Sequence, residues 1–226
     1  MKIVVALVVI AAAVVGGVLL FGDDGTTATT NPGGGGTEVA AETPDLTFNA
    51  SKPVVVTVTA AQRPKTLAAG AQAASKRAVA VLDTVYTEAF LDPSSWDGGS
   101  YDDAWTQFTD EAGARAEAQA DSLTAGSAAG DTYARIEPLK ATVCPRVLVD
   151  ETGKPLSVVA QVYFTAEGMH DDGTSTLFKS TGQFFLEPGG NTWRVVAFDV
   201  RRADKERKAP PSPSTSEGSS PSESPS

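Results

Sequence analysis

The chain has one cysteine, Cys144, and one histidine, His170. An internal disulfide is therefore excluded, and a four-ligand zinc site lacks its usual donors. Hydrolase chemistry is equally short of parts. His170 would be the only imidazole, and Cys144 stands beside Pro145 and Arg146 in a strand-like run, so neither a Ser-His-Asp nor a Cys-His arrangement can be drawn. A basic excess is missing too: 18 Lys and Arg face 28 Asp and Glu, for a formal net charge of −10. No stripe of cations stands out to release counterions from a phosphate backbone, which argues against nucleic acid as a partner and against anionic lipid headgroups.

What is present begins at the amino terminus. "IVVALVVIAAAVVGGVLLF", Ile3 to Phe21, runs without a charged or strongly polar side chain. As a helix it reaches roughly 28 Å, close to the ~30 Å hydrocarbon thickness of a bilayer. Residues 1–21 are therefore expected to form a transmembrane anchor, with the lipid bilayer as their partner. Ala11 to Ala13 imitate a signal-peptide cleavage site, but a cut there leaves the greasy "VVGGVLLFG" as a new terminus, which favours the uncleaved reading. Lys2 precedes the span while Asp23 and Asp24 follow it, so the amino terminus is expected inside the cytoplasmic membrane and the remainder outside. In an oxidising compartment a lone thiol is usually inert through burial, and Cys144 is expected to be buried on a strand.

Composition divides the rest. Residues 22–45 contain four consecutive glycines, Gly33 to Gly36, and no aromatic, and read as a flexible linker. Residues 209–226 are Pro and Ser rich and read as a disordered tail. One α+β domain is expected at 46–208.

Within it, "PVVVTVTA" from Pro53 to Ala60 suggests a strand or an extended lead-in. Ala74, Ala78, Val81, Leu82, Val85 and Ala89 then recur at helical spacing, Tyr86 and Phe90 widen that face, and Asp92-Pro93 stops it. Aromatics are only 7% of the chain, so the five in "FLDPSSWDGGSYDDAWTQFT" stand out. Ser100 and Asp103 fit a capping box, and Tyr101, Trp105 and Phe108 fall on one face of the short helix that follows. Trp96, in the turn between helices, is the aromatic expected to reach the surface. After Thr109 a further helix is expected, with Asp110 and Glu111 in its first turn and Ala112, Ala116, Ala120 and Leu123 on one face. Beyond Gly130 the period becomes two, and four strands are expected near 141–149, 156–165, 174–187 and 192–201 as an antiparallel meander. Leu156, Val158, Ala160, Val162 and Phe164 mark a core face. Pro145 suggests an edge strand, and Gly182 a bulge.

Helices followed by a long curved antiparallel meander resemble the cone-shaped nuclear-transport-factor-two-like fold, also seen in ketosteroid isomerase and polyketide-cyclase-type proteins. The resemblance covers roughly Thr66 to Arg202 and is one of element order. "FLDPSSWDGGSYDDAWTQFT" with the closing "TWRVVAFDVRR" is similar to actinobacterial membrane-anchored domains of this class. It implies a cone whose interior either binds a small apolar molecule or is packed solid. Assembly-type subunits of secretion or conjugation machines and accessory proteins of lipid-import complexes share the plan of one span plus such a domain.

The candidate pocket comprises Tyr86, Phe90, Trp105, Phe164, Phe184 and Asp199. The aromatics serve packing as readily as ligand contact. Asp199 shares an alternation face with Trp193, Val195 and Ala197, which suits a general base beside a tyrosine donor from Tyr86, Tyr133 or Tyr163. The plainer alternative pairs Asp199 with Arg201 or Arg194. His170, Asp171 and Asp172 form a solvated polar turn, too few ligands for a metal site; no cofactor is expected. The function expected is a non-enzymatic interaction or assembly module of the cell envelope that binds other envelope proteins, with a small-ligand protein or isomerase-like enzyme as the alternative.

Overall fold

The computed structural model describes residues 43–58 and 65–208. The expected anchor at 1–21, all but the last three residues of the linker at 22–45, and the tail at 209–226 lie outside the described residues. Among the described residues, no helix is long and apolar enough to cross a membrane.

The β-branched run after Pro53 forms an edge. β1 (Asn49–Ala50) and β2 (Val54–Thr57) follow one another along the same side of a later strand. Helix α1 (Lys65–Tyr86) comes next and ends in a π-type turn at Thr87–Leu91, where Asp92 N–H donates to the Thr87 carbonyl at 2.9 Å and Pro93 prevents continuation. Single-turn helices α2 (Pro93–Trp96) and α3 (Asp102–Trp105), helix α4 (Asp110–Ala118) and single turns α5 (Ala120–Leu123) and α6 (Ala129–Thr132) lead to the meander. Its strands are β3 (Arg135–Val149), β4 (Pro155–Met169), β5 (Ser175–Gly189) and β6 (Thr192–Arg207). They pair antiparallel in the order β3-β4-β5-β6, while β1 and β2 add parallel to β3, giving a mixed sheet in an α+β domain.

Several local expectations change once the chain is folded. Pro145 does not mark an edge. It sits between the stretch of β3 paired with β1, at Thr142 and Val143, and the stretch paired with β2, which starts at Arg146. A missing N–H is harmless in that gap. Gly182 is not a bulge: Val162, Gly182 and Val200 stay in register across three strands. It is a close approach, since a Cβ there would stand 2.2 Å from the Asp199 carbonyl oxygen and 2.5 Å from Val200 Cα. The bulges fall at Leu139, Leu156 and Val196, each an extra residue against an unbroken partner strand. Leu156 is accordingly 38% exposed while Val158, Ala160, Val162 and Phe164 are fully buried.

The capping box does not form. Tyr101, not Ser100, precedes α3, in the left-handed region at φ 52°. That conformation costs roughly 1–2 kcal/mol and is offset by burial of the ring and a 2.6 Å bond from its hydroxyl to the Gly126 carbonyl. Thr109 does cap α4, its hydroxyl accepting from Ala112 N–H. The stripe that begins with Ala112 and Ala116 breaks at Gln119, so Leu123 reaches the core from a separate turn. Trp96 is buried rather than presented at the surface, and its indole N–H has no partner among the described residues.

α1 lies against β3, β4 and β6, with α4 and α5 against β6. Its alanines, Ala71, Ala74 and Ala78, let the helix axis approach the sheet closely, so the larger rings enter from its C-terminal end. Phe48 enters the same core from the lead-in, which is tied to the helix by its own N–H donating to Asp83 Oδ1 at 2.8 Å.

Candidate functional site

Four of the six residues expected to form a pocket do meet, as a packed interior. The Tyr86 ring lies 5.5 Å from Phe90, 5.0 Å from Phe164, 6.0 Å from Phe184 and 5.1 Å from Phe48, centroid to centroid. Phe90 in turn contacts Phe164 and Phe178. Trp105 is further out and half-buried, joined to this network through Phe108, Phe198 and Phe184. Rings at these separations are in direct contact, and each buried Phe contributes on the order of 2–3 kcal/mol by leaving water. The polar pair at the centre is satisfied: the Tyr86 hydroxyl and Ser180 Oγ lie 2.9 Å apart. Burial raises the Tyr86 phenol well above its ordinary value, only partly opposed by that hydrogen bond, so the group stays neutral.

Asp199 is not among them. It is exposed, on the opposite face of the sheet. Trp193 and Val195 point inward, but the extra residue Val196 shifts the parity of β6, so Phe198 and Val200 take the inner positions and Asp199 turns outward. A one-residue slip inverts every later side chain on a strand. Asp199 and the Tyr86 hydroxyl are thus separated by the sheet itself, and no base-plus-donor pair is assembled in the interior. Tyr133 packs on His170 and Phe178, whereas Tyr163 faces out on the same side of the sheet as Asp199. The loop residues serve their own turn: Asp172 accepts from the Thr174 N–H and hydroxyl, and His170 Nε2 bonds Thr176 Oγ1.

Two adjoining concavities open on the outer face of the sheet. One of about 300 Å³ is lined by Cys144, Arg146, Val159, Gln161, Tyr163 and Gln183. The other, about 440 Å³, shares Gln161, Tyr163 and Gln183 and adds Lys179, Thr181, Asp199 and Arg201. Register explains the grouping. Cys144, Gln161, Gln183 and Asp199 form one row across four strands, and Thr142, Tyr163, Thr181 and Arg201 the next. Gln183 Nε2 donates to Gln161 Oε1 and Gln161 Nε2 to the Gly182 carbonyl, both at 2.9 Å, which locks the floor of the groove. Tyr163 stands above that floor, 47% exposed. Cys144, expected to be buried, is exposed here because Val143 and Pro145 occupy the inward positions of β3.

Charge is distributed unevenly over this face. Arg135 pairs with Glu137 at 3.0 Å and Arg207 with Glu167 at 3.2 Å. The Ser175 hydroxyl and then Arg207 hold the Glu167 carboxyl below its ordinary range. Lys140, Arg146, Lys179, Arg201 and Lys205 have no ion pair among the described residues. The sequence shows these cations scattered over sixty-odd positions; only alternation and register gather them.

Comparison with protein-family models, with curated proteins and with solved structures gives no match for the chain.

Proposed function

We propose that this protein is a non-enzymatic interaction module of the cell envelope. A membrane anchor at 1–21 holds a nuclear-transport-factor-two-like domain outside the cytoplasmic membrane, and the outer face of the sheet receives a protein partner. One observation carries the reading: the interior is packed with aromatic side chains, whereas the concave, hydrogen-bonding surface lies outside, around Gln161, Tyr163 and Gln183. A polar, shaped and partly aromatic surface is what a non-obligate protein interface requires.

Cys144 supplies the test, because it is the chain's only thiol and stands in the groove. A thiol-directed photocrosslinker placed there in the full-length, membrane-embedded protein is expected to give covalent adducts with a distinct envelope protein. The same reagent at Glu117→Cys in a Cys144→Ser background, on exposed α4, is expected to give none. Recovery of the isolated monomer from both positions would overturn the reading.

A further inference from the structure

We infer that the outer sheet face takes an acidic, extended polypeptide segment of its partner, with carboxylates set against Lys140, Lys179, Arg201 and Lys205. This rests on the assignment of that face as the docking surface and specifies the chemistry it selects.

Register places the cations. Lys179 lies opposite Ala203 on β6, with Arg201 and Lys205 two residues to either side. Residues two apart on a strand stand about 7 Å from each other and neighbouring strands about 5 Å, so Lys179 stands roughly 8–9 Å from both Arg201 and Lys205, which are about 14 Å apart, and the three form a triangle. Lys140 extends it along the row through Thr165, two strands and roughly 10 Å away. No carboxylate among the described residues pairs with any of the four. Of the nearby acids, Glu167 pairs with Arg207 and Asp204 with Arg202, while Asp199, two residues from Arg201 on the same face, forms no ion pair among the described residues and lies at the end of the patch away from Lys205. Exposed charges at these spacings repel one another only weakly, but a carboxylate set between them meets several cations that have no ion pair among the described residues.

The neutral part of the groove adds the second requirement. Tyr163, Thr181 and the amide capacity that Gln161 and Gln183 keep beyond their mutual hydrogen bond lie next to the cation triangle, which suits the N–H and C=O groups of an extended backbone. The rest of the molecule selects against larger polyanions. A net charge of −10 repels a nucleic acid or an anionic bilayer as a whole. The local patch acts within a screening length of about 8 Å, enough for a segment bearing a few carboxylates. A second copy is disfavoured as well, since a two-fold interface sets the same patch against itself and brings cation to cation.

The test uses the full chain in detergent micelles. The probes are a fluorescein-labelled peptide of alternating Glu and Ser and its Gln-for-Glu counterpart, read by anisotropy across a salt series. The Glu peptide is expected to bind, more weakly as salt rises, and the Gln peptide to bind at least about tenfold more weakly. Lys179→Glu combined with Arg201→Glu is expected to lower affinity for the Glu peptide by about tenfold or more while the melting temperature shows the domain still folded. Equal binding of both peptides, or an unchanged affinity in the charge-reversed protein, overturns the inference. So does binding of phosphatidylserine vesicles or of a single-stranded DNA oligonucleotide with the Glu peptide inert, or a concentration-dependent dimer that blocks the groove. Cys144 adducts that persist in the charge-reversed protein remove the acidic partner but leave the docking face; absence of Cys144 adducts in the unmodified protein removes the face itself.

Discussion

The two faces of the sheet are made from alternate residues of the same strands. Val143, Val147, Val158, Val162, Phe164 and Phe184 point one way and are fully buried. Cys144, Arg146, Gln161, Tyr163, Gln183 and Asp199 point the other way and line open concavities. The inner face is closed by α1 and by rings in mutual contact, so its chemistry is exhausted in holding the fold. The outer face has no helix over it among the described residues, and Lys179, Arg201 and Lys205 stand on it without an ion pair there. One period-two pattern therefore produces a packed surface and an open one, and mutations should separate them.

The largest effect is expected on the inner side. Phe164→Ala removes a ring that touches Tyr86, Phe90 and Phe48, and should cost about 3–5 kcal/mol in denaturant unfolding. A loss under about 1 kcal/mol would mean that the interior is loosely filled and would reopen the pocket reading.

Gly182→Ala should follow, at roughly 2–3 kcal/mol, because the new methyl collides with the backbone of β6 and forces strands apart. Gly182 lies between the faces in effect: the substitution should also distort the Gln161 bond to its carbonyl, which peptide binding to the groove can read.

Asp83 sharpens the comparison by pH. Burial raises its carboxyl above the ordinary value of 3.8, with the Phe48 N–H opposing. A raised folded-state value means that its contribution favours folding most in acid, below 3.8, and is lost as pH rises through the folded value. Asp83→Asn keeps an acceptor for Phe48 without the charge and should match or exceed the parent at neutral pH. Asp83→Ala leaves that N–H unpaired and should cost about 1 kcal/mol. Thermal melts in acid and at neutral pH distinguish them, with the pH-dependent difference absent in the Asn variant.

The smallest stability effect belongs to the outer face. Tyr163→Ser should change unfolding by no more than about 0.5 kcal/mol, while weakening crosslinking at Cys144. A large stability loss would show that the outer face is structural after all.

Much of the fold was legible in the sequence. The α1 stripe through Ala74, Ala78, Leu82 and Val85, the stop at Asp92-Pro93, the helix start after Thr109 and the four-strand meander all follow from side-chain period and backbone chemistry, which are local. The misreadings share a cause. Asp199 was assigned to the wrong face because the Val196 bulge, which depends on pairing with β5, changes the parity of β6. Pro145 looked like an edge because the parallel addition of β1 and β2 lies nearly a hundred residues away in the chain. Trp96 looked superficial because a turn is usually exposed, yet Gly130 of α6 packs against its backbone. Of the site, the aromatics were readable as a group, since large apolar rings seek burial wherever they fall. The cationic groove was not, since its members come from β3, β5 and β6.

Composition and spacing alone determined the exclusion of an internal disulfide, the acidic balance, the greasy opening run and the alternation of helix and strand, because each depends on residue identity or on neighbours a few positions apart. Only the tertiary structure decided which face each strand residue serves. That choice is made by hydrogen-bond register between strands, and a single unpaired residue is enough to invert it.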